Sequence, residues 1–167
     1  EANPQKEMLN QIIVSTFTDA RIPIVLLDRD IVDYPNRSRY DIIGIDNRRA
    51  GYIATQHLIN VGCRRVGFIG RPHLAPSCVA RSKGYQDAIR EAAVEVGVEF
   101  VELLDPLDRT NVAQVMERFR PDGLVCSNDR AAAQLMKTLE QLGIGVPDQV
   151  RLVAFDDVKY ANLVSVP

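Results

Sequence analysis

Short apolar runs alternate along this chain with longer segments whose apolar residues recur every three or four positions. Runs of three to six apolar residues bounded by Gly, Pro, Asn or Asp predict buried strands, and the three-to-four spacing predicts helices with one buried face. The clearest unit is Gly-Leu-Val-Cys-Ser-Asn-Asp at 123 to 129, a strand that ends in polar residues and hands over directly to a helix. That helix carries Ala132, Leu135, Met136, Leu139 and Leu142 on one face. Asn128 or Ser127 is placed to cap it, and Asp129 suits the positive end of its dipole.

Similar units precede and follow it. A weakly helical stretch with Met8, Leu9, Ile12, Ile13 and Phe17 leads to the strand Ile22-Pro23-Ile24-Val25-Leu26-Leu27, which ends at Asp28-Arg29-Asp30. Residues 31 to 41 are polar, hold Pro35 and Asn36, and read as a loop. A strand Ile42-Ile43-Gly44-Ile45 then reaches Asp46-Asn47, which can cap a helix bearing Ala50, Ile53, Ala54, His57, Leu58 and Val61 on one face and stopping at Gly62. After the strand Val66-Gly67-Phe68-Ile69-Gly70 and a loop at 71 to 77, Val79, Tyr85, Ala88, Ile89, Ala92 and Val96 mark a helix that Gly97 ends. A strand at 98 to 104, a turn at 105 to 108, and a short helix capped by Thr110 with Val112, Val115, Met116 and Phe119 complete this half. Beyond the unit at 123 to 142, a turn at 143 to 148 leads to a last strand at 150 to 155, ending at Asp156-Asp157.

Strand and helix therefore alternate from residue 42 to 156. This predicts an α/β fold, a parallel sheet flanked by helices on both faces, as in a flavodoxin-like or Rossmann-like lobe, with right-handed connections. The strand ending at Asp28 lies outside that alternation. The expected division is a partial N-terminal lobe and crossover at 1 to 40, a C-terminal lobe at 41 to 160, and the start of a crossing back at 161 to 167. Both ends read as cut, and neither an internal repeat nor a low-complexity segment is visible.

Composition narrows the function. At 167 residues, the chain fits one domain, or one domain with part of another. Its formal net charge of −2 gives no electrostatic footprint for nucleic acid or an anionic membrane. Apolar runs are too short to span a bilayer, and the N-terminus has no signal-peptide pattern. Three cysteines, Cys63, Cys78 and Cys126, lack Cys-x-x-Cys spacing and read as buried thiols of a cytoplasmic protein.

Ligands of open parallel sheets sit at the carboxyl ends of the strands. Those ends gather Arg71, His73, Asp105, Asn128, Asp156 and Asp157, and Arg81 in the next helix can reach the same crevice. Guanidinium, amide and carboxylate groups together suit a ligand rich in hydroxyls or carbonyls. Such strand ends are also polar simply because loops are solvated. Enzymatic chemistry finds no Ser-His-Asp set, metal-spaced cluster or phosphate-binding Gly-rich loop, so neither a cofactor nor a metal is expected. His57, on an apolar helix face, reads as a core or interface histidine, Cys126 as inert core, and Arg64-Arg65 as a solvated turn.

Several motifs occur in order: Ile-Pro-Ile-Val-Leu-Leu-Asp-Arg, Ile-Asp-Asn-x-x-Ala-Gly, Ala-Thr-Gln-His-Leu-Ile-x-x-Gly, Arg-Arg-Val-Gly-Phe-Ile-Gly, Ala-Arg-Ser-Lys-Gly-Tyr, Ser-Asn-Asp and Val-Pro-Asp-Gln-Val-Arg-Leu-Val-Ala-Phe-Asp-Asp. Together, over residues 22 to 167, they resemble the effector-binding region of the LacI/GalR family of bacterial transcription regulators. The resemblance implies one lobe of a type I periplasmic-binding-protein-like fold that clamps a small effector, often a sugar or purine. It also implies a homodimer that reads operator DNA through a helix-turn-helix headpiece, which this chain lacks. The same fold would serve a secreted sugar-binding receptor of a transport or chemotaxis system, which is the alternative reading.

By motif, the family's effector contacts fall on Arg81, on Asn128 and Asp156 as its polar partners, and on Asp28 at the lobe junction. His73 is a further candidate contact. Where several members place an aromatic that stacks on the effector, this chain reads Leu104-Asp105-Pro106-Leu107, which leaves Tyr85 or His73 as substitutes. Arg81→Ala and Asp156→Ala are expected to abolish effector response without unfolding the lobe, both being read as residues of a solvated cleft.

Overall fold

The computed structural model describes residues 4–32, 35–92 and 99–158, with side chains from Met8 onward. Eleven elements follow in order: α1 (Pro4–Asp19), β1 (Val25–Leu27), β2 (Asp41–Ile43), α2 (Asn47–Asn60), β3 (Val66–Gly70), α3 (Pro76–Glu91), β4 (Phe100–Leu103), α4 (Arg109–Phe119), β5 (Gly123–Cys126), α5 (Asp129–Gln141) and β6 (Arg151–Val153). Four strands form one parallel sheet in the order β4-β3-β5-β6. β1 and β2 form a separate parallel pair. The expected α/β fold with a parallel sheet is therefore present, with one correction to its start. β2 pairs with β1 in register Val25 to Asp41 and does not join the four-stranded sheet, so the alternation of that sheet begins at β3.

Both faces of the sheet are covered, because successive strand residues point to opposite sides. Ile69, Leu124 and Cys126 face α4 and α5, where Val112, Val115, Leu135 and Leu139 pack. Val66, Phe68 and Val125 face α2 and α3, where Leu58, Ile59, Tyr85 and Ile89 pack. This is why the strands read as continuous apolar runs rather than alternating ones. β3 and β5 are buried at every position.

α2 and α3 cross closely. A Cβ on Gly51 would run into the backbone carbonyl of Arg81, and one on Gly84 into that of Arg48. Each helix thus supplies a glycine where the other's backbone comes closest. Tyr85 is fully buried, and its hydroxyl donates to the Val66 carbonyl (2.8 Å) while accepting from the Phe100 N–H (3.1 Å). It ties α3 to β3 and β4, and cannot be the ring-stacking residue of a ligand site.

Three further expectations need adjustment. The buried face of α2 is Gly51, Ala54, Thr55, Leu58 and Ile59, so Ile53, His57 and Val61 point outward and His57 is no core residue. α4 is capped by Asp108, whose carboxylate accepts from Thr110 and Asn111 N–H groups, rather than by Thr110. A Ser/Thr/Asp choice within two residues is not resolved by periodicity alone. The N-terminal stretch is a helix, but Met8, Leu9, Ile12, Ile13 and Phe17 are exposed on it. Val96, the Gly97 stop, the start of the next strand at Val98 and the crossing at 161 to 167 lie outside the described residues.

Candidate functional site

Arg81 lies in the second turn of α3, on its buried face, and only 4% of the residue is exposed. Burial of a guanidinium demands partners, since an unpaired buried charge is costly. Its Nε donates to Asn47 Oδ1 (2.8 Å), Nη1 to the Ser127 carbonyl (2.9 Å) and Nη2 to Asp156 Oδ1 (3.0 Å). The Phe155 ring lies 4.6 Å from the guanidinium carbon, a cation–π contact. Arg81 thereby joins the start of α2, the carboxyl end of β5 and the turn after β6. It is not a residue of a solvated cleft, and the expectation that Arg81→Ala would spare the fold is corrected on that ground.

Each partner is set by local chemistry. Asp46 caps α2 through the Arg49 N–H, which leaves the Asn47 amide oxygen to Arg81. The Ser127 N–H continues the β3–β5 ladder by donating to the Ile69 carbonyl, and its own carbonyl turns to Arg81. Asp156 and Asp157 both have positive φ, +100° and +46°, in the turn that follows β6. That turn is pinned twice more, by the Asp129 N–H on the Phe155 carbonyl and by the Asp129 carboxylate on the Val158 N–H. Asp156 keeps 40% of its side chain exposed and its second carboxylate oxygen has no partner among the described residues. Asn128 caps α5 through the Ala131 N–H (2.9 Å), as its position predicts, and its NH2 group has no partner among the described residues.

Beside this network lies a cleft of about 480 Å³ between the 28–45 segment and the starts of α2 and α3. Asp28, at φ +70°, lines it from one side, and Asn47, Ser77 and Ala80 from the other. The Asp28 N–H bonds the Ile43 carbonyl (2.8 Å), while its carboxylate has no partner among the described residues. Asp30, another wall residue, is different. Burial would raise its pKa, but the hydroxyl and N–H of Ser38 and the N–H groups of Ile31 and Val32 outweigh that and hold the carboxyl below its ordinary value.

Four of the five residues singled out from sequence thus lie around one region: Arg81, Asp156, Asn128 and Asp28. Arg81 and Asp156 touch, Asn128 follows the carbonyl that Arg81 binds, and Asp28 lines the adjoining cleft. His73 is exposed at φ +58° in the loop before α3, outside the cleft lining. Arg71 bonds Gln134 (3.2 Å), and Asp105 holds its own turn through the Leu107 N–H. Asn47, Ser77 and Phe155 were not foreseen. The Asp-Asn pair at 46 and 47 was a usable signal for the first, because one side chain suffices to cap a helix.

Residues 55 to 167 match the family model for a periplasmic binding protein-like domain. The HTH-type transcriptional regulator GalR of Escherichia coli is 32% identical over 146 residues, covering 84% of this chain and 41% of the relative. The HTH-type transcriptional repressor PurR of Photobacterium profundum is 28% identical over 151 residues, covering 87% of this chain and 44% of the relative. The crystal structure of a sugar-binding transcriptional regulator of the LacI family from Escherichia coli, complexed with phosphate, superposes with a TM-score of 0.70 at 26% identity. The match covers 95% of this chain and 56% of that one. The chain therefore spans less than half the length of these two curated relatives, both named as transcriptional regulators rather than enzymes.

Proposed function

Because this chain belongs to the periplasmic binding protein-like domain family, we propose that it is the effector-binding core of a LacI/GalR-type transcriptional repressor. A small sugar-like metabolite binds between two lobes and controls DNA binding by a helix-turn-helix headpiece in a cytoplasmic homodimer. The observation that carries this reading is the cleft lined by Asp28 on one side and by Asn47 and Ser77 on the other. A ligand seated there touches both the segment around β1–β2 and the four-stranded unit, so it bears directly on their relative orientation. Such a ligand shifts an orientation only by its differential affinity for the two arrangements. Residues 1 to 40 belong to an N-terminal lobe and the C-terminal lobe runs to about residue 160; β2 goes with the former by its pairing.

In this reading Asp28, Asn128 and Asp156 meet the ligand, and Arg81 fixes Asp156 and the start of α2 at its edge. Names of the relatives favour a regulator over a secreted receptor, and among the described residues no helix is long and apolar enough to cross a membrane. The test is titration of the full-length protein with sugars, sugar phosphates and nucleobases, then its affinity for DNA upstream of its own gene with and without the ligand found. The expected coupling is of the order of 5–150-fold in DNA affinity. A ligand that binds the cleft and leaves DNA affinity unchanged would refute the regulatory part.

A further inference from the structure

Asp129 is the first residue of α5, directly after the Asn128 cap. An acidic residue there suits the positive end of the helix dipole. The structure gives it a second task. Its backbone N–H donates to the Phe155 carbonyl (2.9 Å), and its carboxylate Oδ2 accepts from the Val158 N–H (2.9 Å). One residue thus grips the chain on both sides of Asp156 and Asp157. Those two need a grip. Both are non-glycine residues with positive φ, +100° and +46°, and such backbone persists only where its surroundings over-determine it. Arg81 holds the same turn from α3, through the Asp156 carboxylate (3.0 Å) and the Phe155 ring (4.6 Å). Among the described residues, only the Asp129 carboxylate holds its far side, at Val158.

We infer that Asp129 is a positioning residue of the effector site, acting through Asp156; this rests on the effector-binding reading. Its carboxylate keeps the turn closed. The closed turn holds Asp156 with one oxygen on Arg81, while the other has no partner among the described residues. Asn128 sits one residue before Asp129 and is fixed by its own cap bond (2.9 Å). The start of α5 therefore sets Asn128 and Asp156, which follow different strands, in one fixed arrangement. A charge at the helix end would by itself do none of this.

Two substitutions in the full-length protein separate the roles. Asp129→Glu keeps the charge at the helix start but moves the carboxylate one methylene further out. Asp129→Asn removes the charge and keeps an acceptor oxygen at the same reach. Amide exchange at Val158 is the first readout. In Asp129→Glu it should rise about tenfold, as loss of one hydrogen bond to a charged group implies, and in Asp129→Asn it should stay close to wild type. The second readout is the shift in denaturant midpoint caused by Asp156→Ala in each background. Coupled residues are non-additive, so beside Asp129→Glu that shift should fall to less than roughly half its wild-type size. Beside Asp129→Asn it should be nearly unchanged. The reverse order, with the Asn variant disturbed and the Glu variant like wild type, assigns Asp129 to the helix dipole and overturns the inference. Unchanged Val158 exchange in Asp129→Glu, or additive midpoint shifts there, overturns it as well. Neither readout uses a ligand, so the inference can fail while the effector-binding reading stands, and the reverse.

Discussion

Arg81 shows how a motif residue can lie beside its expected neighbour and still be far more buried than a sequence reading suggests. Its position beside Asp156 follows from the order of motifs, but its burial does not, because arginine is among the residues that sequence patterns assign to solvent. Removing it would strand the Asn47 amide oxygen and the Ser127 carbonyl and release the turn at Asp156. Since Asp156 is 40% exposed and can rehydrate, Arg81→Ala should destabilise the fold by about 2–4 kcal/mol rather than more. Asp156→Asn, which keeps an acceptor for Arg81, should cost about 1 kcal/mol. Denaturant unfolding of both variants checks the order.

The thiols are a second case at this scale. Burial pushes the Cys126 thiol up to about 12 and raises Cys63 and Cys78 above their ordinary values. None should react with a thiol reagent at pH 8 until the protein unfolds, when all three should. A raised thiol pKa favours the folded state below the unfolded value of about 8.5, and that contribution is lost as pH rises towards the folded values. The melting temperature should therefore fall on the alkaline side.

Between elements, the decisive contact is the crossing of α2 over α3. Gly84→Ala would drive a methyl group into the Arg48 carbonyl, and backbone cannot move aside as a flexible side chain can. Its cost should reach the upper end of the roughly 1–3 kcal/mol usual for overpacking, read by denaturant midpoint. Strands and helices were legible here because the four-stranded sheet is covered on both faces, so β3 and β5 appear as bare apolar runs. Partners were less legible. Nothing in Asp41-Ile42-Ile43 distinguishes a strand that joins β1 from one that joins β3, since pairing depends on where the chain crosses between units. The helix face of α2 failed for a different reason. Counting Ile53 and Val61 as core put the stripe one residue off, while Gly51 and Thr55, which face α3, carry little apolar signal.

For the whole molecule, the region around Arg81, Asp156, Asn128 and Asp28 follows from strand ends and family motifs, whereas the cleft beside it does not. It depends on residues far apart in the chain, such as Asp28, Asn47 and Ser77, meeting around one space, a long-range arrangement no local pattern encodes. The exposed apolar side chains of α1 and the β1–β2 pair, among them Phe17, Leu27 and Ile43, fit a chain that spans less than half of its GalR and PurR relatives.

The central claim is that this cleft binds a small effector, and thermal unfolding of the full-length protein with a panel of sugars, sugar phosphates, sugar acids and nucleobases tests it most directly. A binder at about a hundred times its dissociation constant should stabilise the native state by about 2.7 kcal/mol. Asp28→Asn, which tolerates the left-handed backbone at that position, should fold normally and lose most of that stabilisation. A ligand that stabilises wild type and Asp28→Asn equally, or a panel without any binder, would contradict the claim.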